Sequence, residues 1–234
     1  MFEKISFNLN LASKFSLSIF LLFLTHYISN AQFNTEIGYT LSYVKSDNIN
    51  KIIDDYNGST EMLTNMENLK YINGFNAGVS YRMGMIKLGA FWKSQTAYKY
   101  GIEGTLLSED NVEKKLYFYY NSIGLGGDFI YDYFGVGTDI NYNIFKIKTK
   151  KSNLDNKIDV ISDNYFSSEF HLIFNFKISK SIGFQIKPYV GIPWNKVDIT
   201  PVVDYLEYDD NPSKIESDFV FYGVSFVLMN GKQK

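Results

Sequence analysis

His171 is the residue best suited to proton chemistry, and Ser167, Ser168 and Glu169 beside it supply the other side-chain types of a hydrolase triad. A triad needs an activated serine within hydrogen-bond reach of the imidazole and an acid that orients the ring. In an extended chain successive side chains alternate in direction, so Ser168 points away from His171. A lone imidazole makes no metal centre either, since such centres need several convergent ligands. His171 is expected to be an inward-facing structural residue, with no catalytic or metal-binding role.

Three other groupings could do chemistry. Asp204, Glu207, Asp209, Asp210, Glu216 and Asp218 cluster against Lys214 alone. Calcium prefers several oxygen ligands, but the glycine-containing spacing of an EF-hand loop is missing, so a solvated acidic loop is expected. An acid protease would rest on the adjacent pair Asp209 and Asp210 and little else. Gly124, Gly126 and Gly127 have the density of a phosphate loop. No helical pattern follows, and the Lys-Ser/Thr pair such loops require is absent. Small residues relieving crowding in a tightly curved sheet explain them better. Finally, Glu36, Arg82, Lys87, Asp128, Asp139, Glu169, Lys177 and Lys187 share one face of their segments. They could line a polar path for ions or form a salt-bridged plug.

The elements that carry these residues are strands. In residues 134–145, Phe134, Val136, Thr138, Ile140, Tyr142 and Ile144 alternate with Gly135, Gly137, Asp139, Asn141 and Asn143. Period two is the strand signature; a helix would scatter the polar residues around its circumference. Seven further segments repeat it, around Ile37–Tyr43, Phe75–Tyr81, Ile86–Trp92, Ile123–Phe129, Phe166–Phe176, Phe184–Ile192 and Val220–Leu228. Twenty Phe and 19 Tyr suit strands. Ile49, Ile52, Ile53 and Tyr56, bounded by Asp47 or Asn48 and by Gly58, read as a short amphipathic helix. It could be a lid or a docking helix; packing against its own loop at Met62, Leu63 and Met66 is the simpler expectation.

A soluble sandwich also alternates, so two features decide between it and a membrane barrel. Charges avoid the apolar face, where a mid-bilayer Lys or Arg would cost about 2–4 kcal/mol. The connections also alternate in length: short at Met83-Gly84-Met85, Tyr131-Asp132 and Lys180-Ser181, long at residues 45–71, 107–113, 150–164 and 200–217. Tyr98, Tyr100, Tyr117, Tyr119 and Trp194 would mark one rim, and Tyr131, Tyr133 and Phe134 the other, as membrane interfaces favour.

Lys4 and Lys14 precede an apolar run from Phe15, followed by Ser29-Asn30-Ala31-Gln32. This is the three-part pattern of an export signal, expected to be cut after Ala31, leaving residues 32–234 as one barrel domain. The run is too short for a retained anchor. Cysteine is absent, which excludes disulfides, thiol nucleophiles and Cys-based zinc sites. A formal net charge of -2 and a single arginine, Arg82, give no basic face for nucleic acid.

The export end at Ser29-Asn30-Ala31-Gln32, the strand Asn73-Gly74-Phe75-Asn76-Ala77-Gly78-Val79 and the closing Tyr222-Gly223-Val224-Ser225-Phe226 carry a resemblance to a family. The chain resembles the small eight-stranded outer-membrane β-barrel proteins of diderm bacteria, in the broad PorT-like group. The expected fold is a closed, antiparallel, up-and-down transmembrane β-barrel of eight strands with a short helix in the first long loop. A barrel of that size is just wide enough for side chains to fill, so the lumen charges should pair as a plug. The expected role is structural or interactive rather than catalytic, without cofactor, as a monomer in outer-membrane lipid. Residues 45–71 and 200–217 would be the surface for an envelope partner. A small ligand-binding or transport barrel is the alternative.

Overall fold

The computed structural model describes residues 32–106, 111–151, 157–207 and 213–231. The export segment, its cleavage point and the pair Asp209-Asp210 lie outside the described residues. Eight long strands form the fold: β1 Gln32–Lys45, β2 Tyr71–Met83, β3 Ile86–Glu103, β4 Val112–Tyr131, β5 Phe134–Lys151, β6 Ile158–Lys177, β7 Ile182–Pro193 and β8 Val220–Asn230. Each pairs antiparallel with its chain neighbours, and β8 pairs with β1, so the sheet closes without an edge. Closure satisfies every strand's backbone on both sides, the condition for a sheet to sit in hydrocarbon. At one end the turns are tight. Gly84 and Asp132 adopt positive φ there, which glycine tolerates freely and Asp more readily than most residues. The other end carries the long connections and two helices, α1 Asp47–Ser59 and α2 Thr200–Leu206. No helix among the described residues is long and apolar enough to cross a membrane.

The outside of the cylinder is apolar. Phe33, Ile37, Phe75, Leu88, Leu125, Phe129, Ile140, Phe170 and Leu228 are all exposed large hydrophobic residues on outward rungs. On β5 this face runs from Phe134 to Ile144; at about 3.3 Å per residue and a tilt near 40° it rises about 25 Å, the height of a barrel's lipid-facing band. Phe166 meets Tyr142 edge-on and stacks with Trp194 along its loop-side margin, and Phe134 meets Phe174 at the turn side.

Above Ile144 the strand continues, but the phase of its alternation inverts. Phe145 and Ile147 turn inward and are buried, with Thr149 following them, while Lys146, Lys148 and Lys150 face outward. The same holds on β4, where Leu116, Phe118 and Tyr120 are buried above the inward-facing Ser122 and Gly124. The reason is the solvent. In lipid a strand can show oil outward, whereas in water it must hide it. The expected long connection at 150–164 is therefore mostly strand, for β5 reaches Lys151 and β6 begins at Ile158.

Inside, the loop-side half holds an apolar core in which Val44, Ile72, Leu116, Phe118, Tyr120, Phe145, Ile147, Phe219 and Phe221 meet the two helices. This corrects the expectation of a lumen that is polar throughout. The helices roof that core. Ile49, Ile52, Ile53 and Tyr56 of α1 and Val202, Val203 and Leu206 of α2 are buried in it. The α1 helix thus covers the mouth and also packs on its own loop: Met66 shares its core and Met62 packs against it, while Leu63 is exposed.

Side chains fasten the roof. Asn50 and Asn57, two turns apart on α1, each clamp a backbone amide and carbonyl, of Leu69 and Met66 respectively. The buried Lys114 of β4 reaches Glu103 Oε1 at 2.8 Å and donates to the Leu206 carbonyl at the end of α2 at 2.7 Å. Tyr56 donates to the same Glu103 carboxylate, and burial together with that carboxylate pushes its phenol above the usual range.

The lipid-facing band is testable by position. Leu125→Lys places a charge at mid-height and should destabilise the barrel by about 2–4 kcal/mol, read as a lower urea midpoint in lipid vesicles. Leu106→Lys, the same change beyond the strands, should leave the midpoint where it was.

Candidate functional site

In the turn-side half the lumen is filled by ions. Lys87 of β3 contacts Glu36 Oε1 of β1 at 2.8 Å and Asp128 Oδ2 of β4 at 3.1 Å. Lys187 of β7 reaches the same two carboxylates at 3.9 and 3.6 Å. Ser80 donates to Glu36 at 2.6 Å. One layer further in, Lys93 meets Glu169 at 2.7 Å and lies over the Tyr189 ring at 4.1 Å. His171 sits between two acids: Nε2 is 2.8 Å from Asp128 Oδ1 and Nδ1 is 3.4 Å from Asp139 Oδ2. Four carboxylates and three ammonium groups make up the charges of this cluster, with the imidazole between two of the acids.

Two glycines make the geometry possible. Asp128, Gly137 and His171 lie on one rung of β4, β5 and β6. A Cβ on Gly137 would stand 2.2 Å from Asp128 Oδ1 and 2.3 Å from His171 Nε2. Gly126 lies opposite Asp139, and a Cβ there would stand 1.6 Å from Asp139 Oδ1. The acid and the ring meet across a strand because that strand has no side chain between them.

Of the residues expected in the lumen network, Glu36, Lys87, Asp128, Asp139, Glu169 and Lys187 come together. Arg82 and Lys177 do not. Arg82 sits at the last turn of β2, where its Nε donates to the Gly84 carbonyl at 3.0 Å, and Lys177 ends β6 exposed. Both follow the inward register but lie at the turn end of the barrel, away from the buried charges, Arg82 half-buried and Lys177 exposed. In their place the cluster contains Lys93 and His171. Both were legible as members of the polar face; only three-dimensional pairing brings them to these acids.

Among the described residues the His171 ring nitrogens face Asp128 and Asp139 rather than a serine hydroxyl. Ser167 accepts from Asn143 at 2.9 Å and lies about 13 Å along the strand from His171 at four residues of 3.3 Å each. Asp128, Asp139 and His171 offer ligand atoms within 4.8 Å of one another. A divalent cation there would lie against the two ammonium groups that already share Asp128 Oδ2, which disfavours it electrostatically. A cavity of about 60 Å³ adjoins the cluster, room for a few waters. Above it, the void in the apolar core is about 10 Å³.

A closed barrel with an apolar wall and a filled, ion-paired lumen defines the class: an eight-stranded transmembrane β-barrel. Comparison with solved structures agrees. The chain is similar to Ail, the attachment invasion locus protein of Yersinia pestis, with 16% identity, 86% of this chain and 98% of that one covered, and a TM-score of 0.50, in a crystal structure with the heparin analogue sucrose octasulfate. A second Ail crystal structure gives 17% identity and the same TM-score and coverage. Neisserial surface protein A matches at 9% identity over 85% of this chain and 96% of that one, with a TM-score of 0.39. No protein-family model and no curated protein matches the sequence. At these identities the likeness establishes the fold alone.

Breaking one buried pair tests the plug. Lys93→Met strands Glu169 in the lumen and should cost about 3–5 kcal/mol. Lys93→Met with Glu169→Gln should recover most of that loss in the same urea titration. If the single variant were as stable as the parent, the lumen would be wet enough to solvate Glu169, and the plug would be wrong.

Proposed function

We propose that the protein is a non-catalytic, non-conducting barrel of the outer membrane that presents its helical roof as a contact surface. It is exported by residues 1–31 with cleavage after Ala31, works as a monomer and needs no cofactor. The PorT-like resemblance carried by Asn73–Val79 and Tyr222–Phe226 belongs to this reading. With the tight turns inside and the long connections outside, as such barrels are oriented, the roof faces the exterior.

One observation carries the reading: the interior is sealed twice, by ions in one half and by an apolar core under two helices in the other. A channel needs a continuous wet path, and a lumenal enzyme needs room for substrate; neither fits a core with a void of about 10 Å³. What remains accessible on the exterior side is the roof itself. Its exposed face carries Asp54 and Asp55 of α1 and Asp204 of α2, within the two segments 45–71 and 200–217. A small ligand-binding barrel is the second reading, supported by the polar cavity beside His171. At about 60 Å³ that cavity holds water or a small ion and nothing larger.

Two measurements test this together. In planar bilayers the inserted barrel should give no conductance steps. A photo-crosslinker placed at Asp54 in cells should yield a discrete protein adduct, while one at Met85 in the opposite turn should not. Steady conductance in the parent protein would favour transport. An activity on lipid or peptide substrates that His171→Ala abolishes would favour an enzyme. Lys114→Met, which removes the clamp between roof and rim, should weaken the Asp54 adduct while leaving insertion intact.

A further inference from the structure

Above the apolar band the outer wall is not uniform. On β4 and β5 the outward rungs pair Tyr119 with Lys146, Tyr117 with Lys148, and Lys115 with Lys150. Tyr98 and Tyr100 continue these rungs onto β3. Lys157, just before β6, folds back so that its ammonium lies 3.7 Å from the Tyr117 ring centroid and donates to Tyr119 Oη at 3.0 Å. Lys115, Lys146, Lys148, Lys150 and Lys157 thus share one sector. The outward acids described beside them are Glu113, paired with Lys115, and Asp159, 2.9 Å from Lys148. At the same height elsewhere, β1 offers Lys45, and Lys196 faces Asp218 at 3.8 Å.

Height matters as much as charge. Lys146 is the first outward residue after Ile144, where the lipid-facing face ends; at about 3.3 Å per residue and a tilt near 40° Lys150 stands about 15 Å above that point, and Lys146 and Lys148, at about 5 and 10 Å, stand in the layer next to the hydrocarbon. Headgroup phosphates lie in that layer. A solvated surface needs no such concentration of one sign, and the Lys148 and Lys157 ammonium groups lie over the Tyr117 and Tyr119 rings, which holds them at the wall.

We propose that this sector of β4 and β5 binds the phosphate group of a phosphorylated lipid in the surrounding leaflet. Several ammonium groups converge on one anion, and the tyrosine rings fill the interfacial space beside it. The inference rests on the membrane-barrel reading, and the test separates the two. The full chain is inserted into phosphatidylcholine bilayers containing spin-labelled phosphatidic acid or spin-labelled phosphatidylcholine, and the immobilised fraction of each is measured. Heat-modifiable migration first confirms a closed barrel. A chain that never closes would overturn the membrane reading and this proposal with it.

For a closed barrel the expected result is about a tenfold preference for phosphatidic acid. It should fall to parity in K146Q/K148Q/K150Q, return when the same three residues are changed to Arg, and persist in K45Q/K196Q. Should the triple Gln variant fail to close, Lys146→Gln alone must lose severalfold preference. A preference that survives the Gln changes, or that K45Q/K196Q removes equally, overturns the assignment to this sector. Inorganic phosphate that abolishes the preference, where chloride of equal ionic strength does not, overturns the lipid as ligand in favour of a free anion.

Discussion

An eight-stranded cylinder leaves room for little more than the side chains that point into it, and that narrowness governs most of this molecule. Every inward residue must find its counterpart across the lumen or on a neighbouring strand. A charge that fails to do so is buried at a cost of several kcal/mol. Lys87 and Lys187 between Glu36 and Asp128, and Lys93 against Glu169, are the outcome. The same constraint places Gly126 and Gly137, because His171 and Asp139 can pack only where the intervening strand yields its side-chain volume. Glycine here is a packing partner of the charges, and the two cannot be understood separately.

The second constraint is the change of solvent along each strand. In hydrocarbon no free energy is gained by hiding oil, so the wall shows Phe, Ile and Leu outward and the polar groups gather inside, bonded to one another. In water the hydrophobic effect reverses the preference. On β5 the reversal falls between Ile144 and Phe145 without a break in the ladder to β4. The bulge in the β5–β6 pairing comes a few residues later, between Ile147 and Lys148, within the water-exposed part.

Most of this was legible residue by residue. Alternation identified eight strands, connection lengths their order, and the Ile49, Ile52, Ile53 and Tyr56 spacing the first helix. The phase inversion is also written in the sequence, as Phe145 and Ile147 alternating with Lys146 and Lys148, but without the membrane boundary the alternation of one phase ends at Phe145 and 150–164 reads as a connection. The short α2 was not foreseen; Pro201 suits a first turn, yet seven residues give little periodicity. Arg82 and Lys177 kept the right face and lost the site because periodicity reports direction and says nothing of depth. Lys93 and His171 joined the site for the converse reason. Burial is a property of position along the barrel axis, which only register and closure define.

Filling the two halves by different chemistry has a consequence for what can change. The turn-side half is held by interdependent ion pairs, in which removing one partner leaves the other stranded, so substitution there is tightly restricted. The loop-side half is closed by an ordinary apolar core, which tolerates volume-conserving changes, and its roof is fastened at a few points such as Lys114, Asn50 and Asn57. Surface residues of the roof can therefore vary without disturbing the membrane-embedded ladder. A barrel built this way separates the ion-paired half, where one change strands a partner, from the roofed half, where the fold tolerates change.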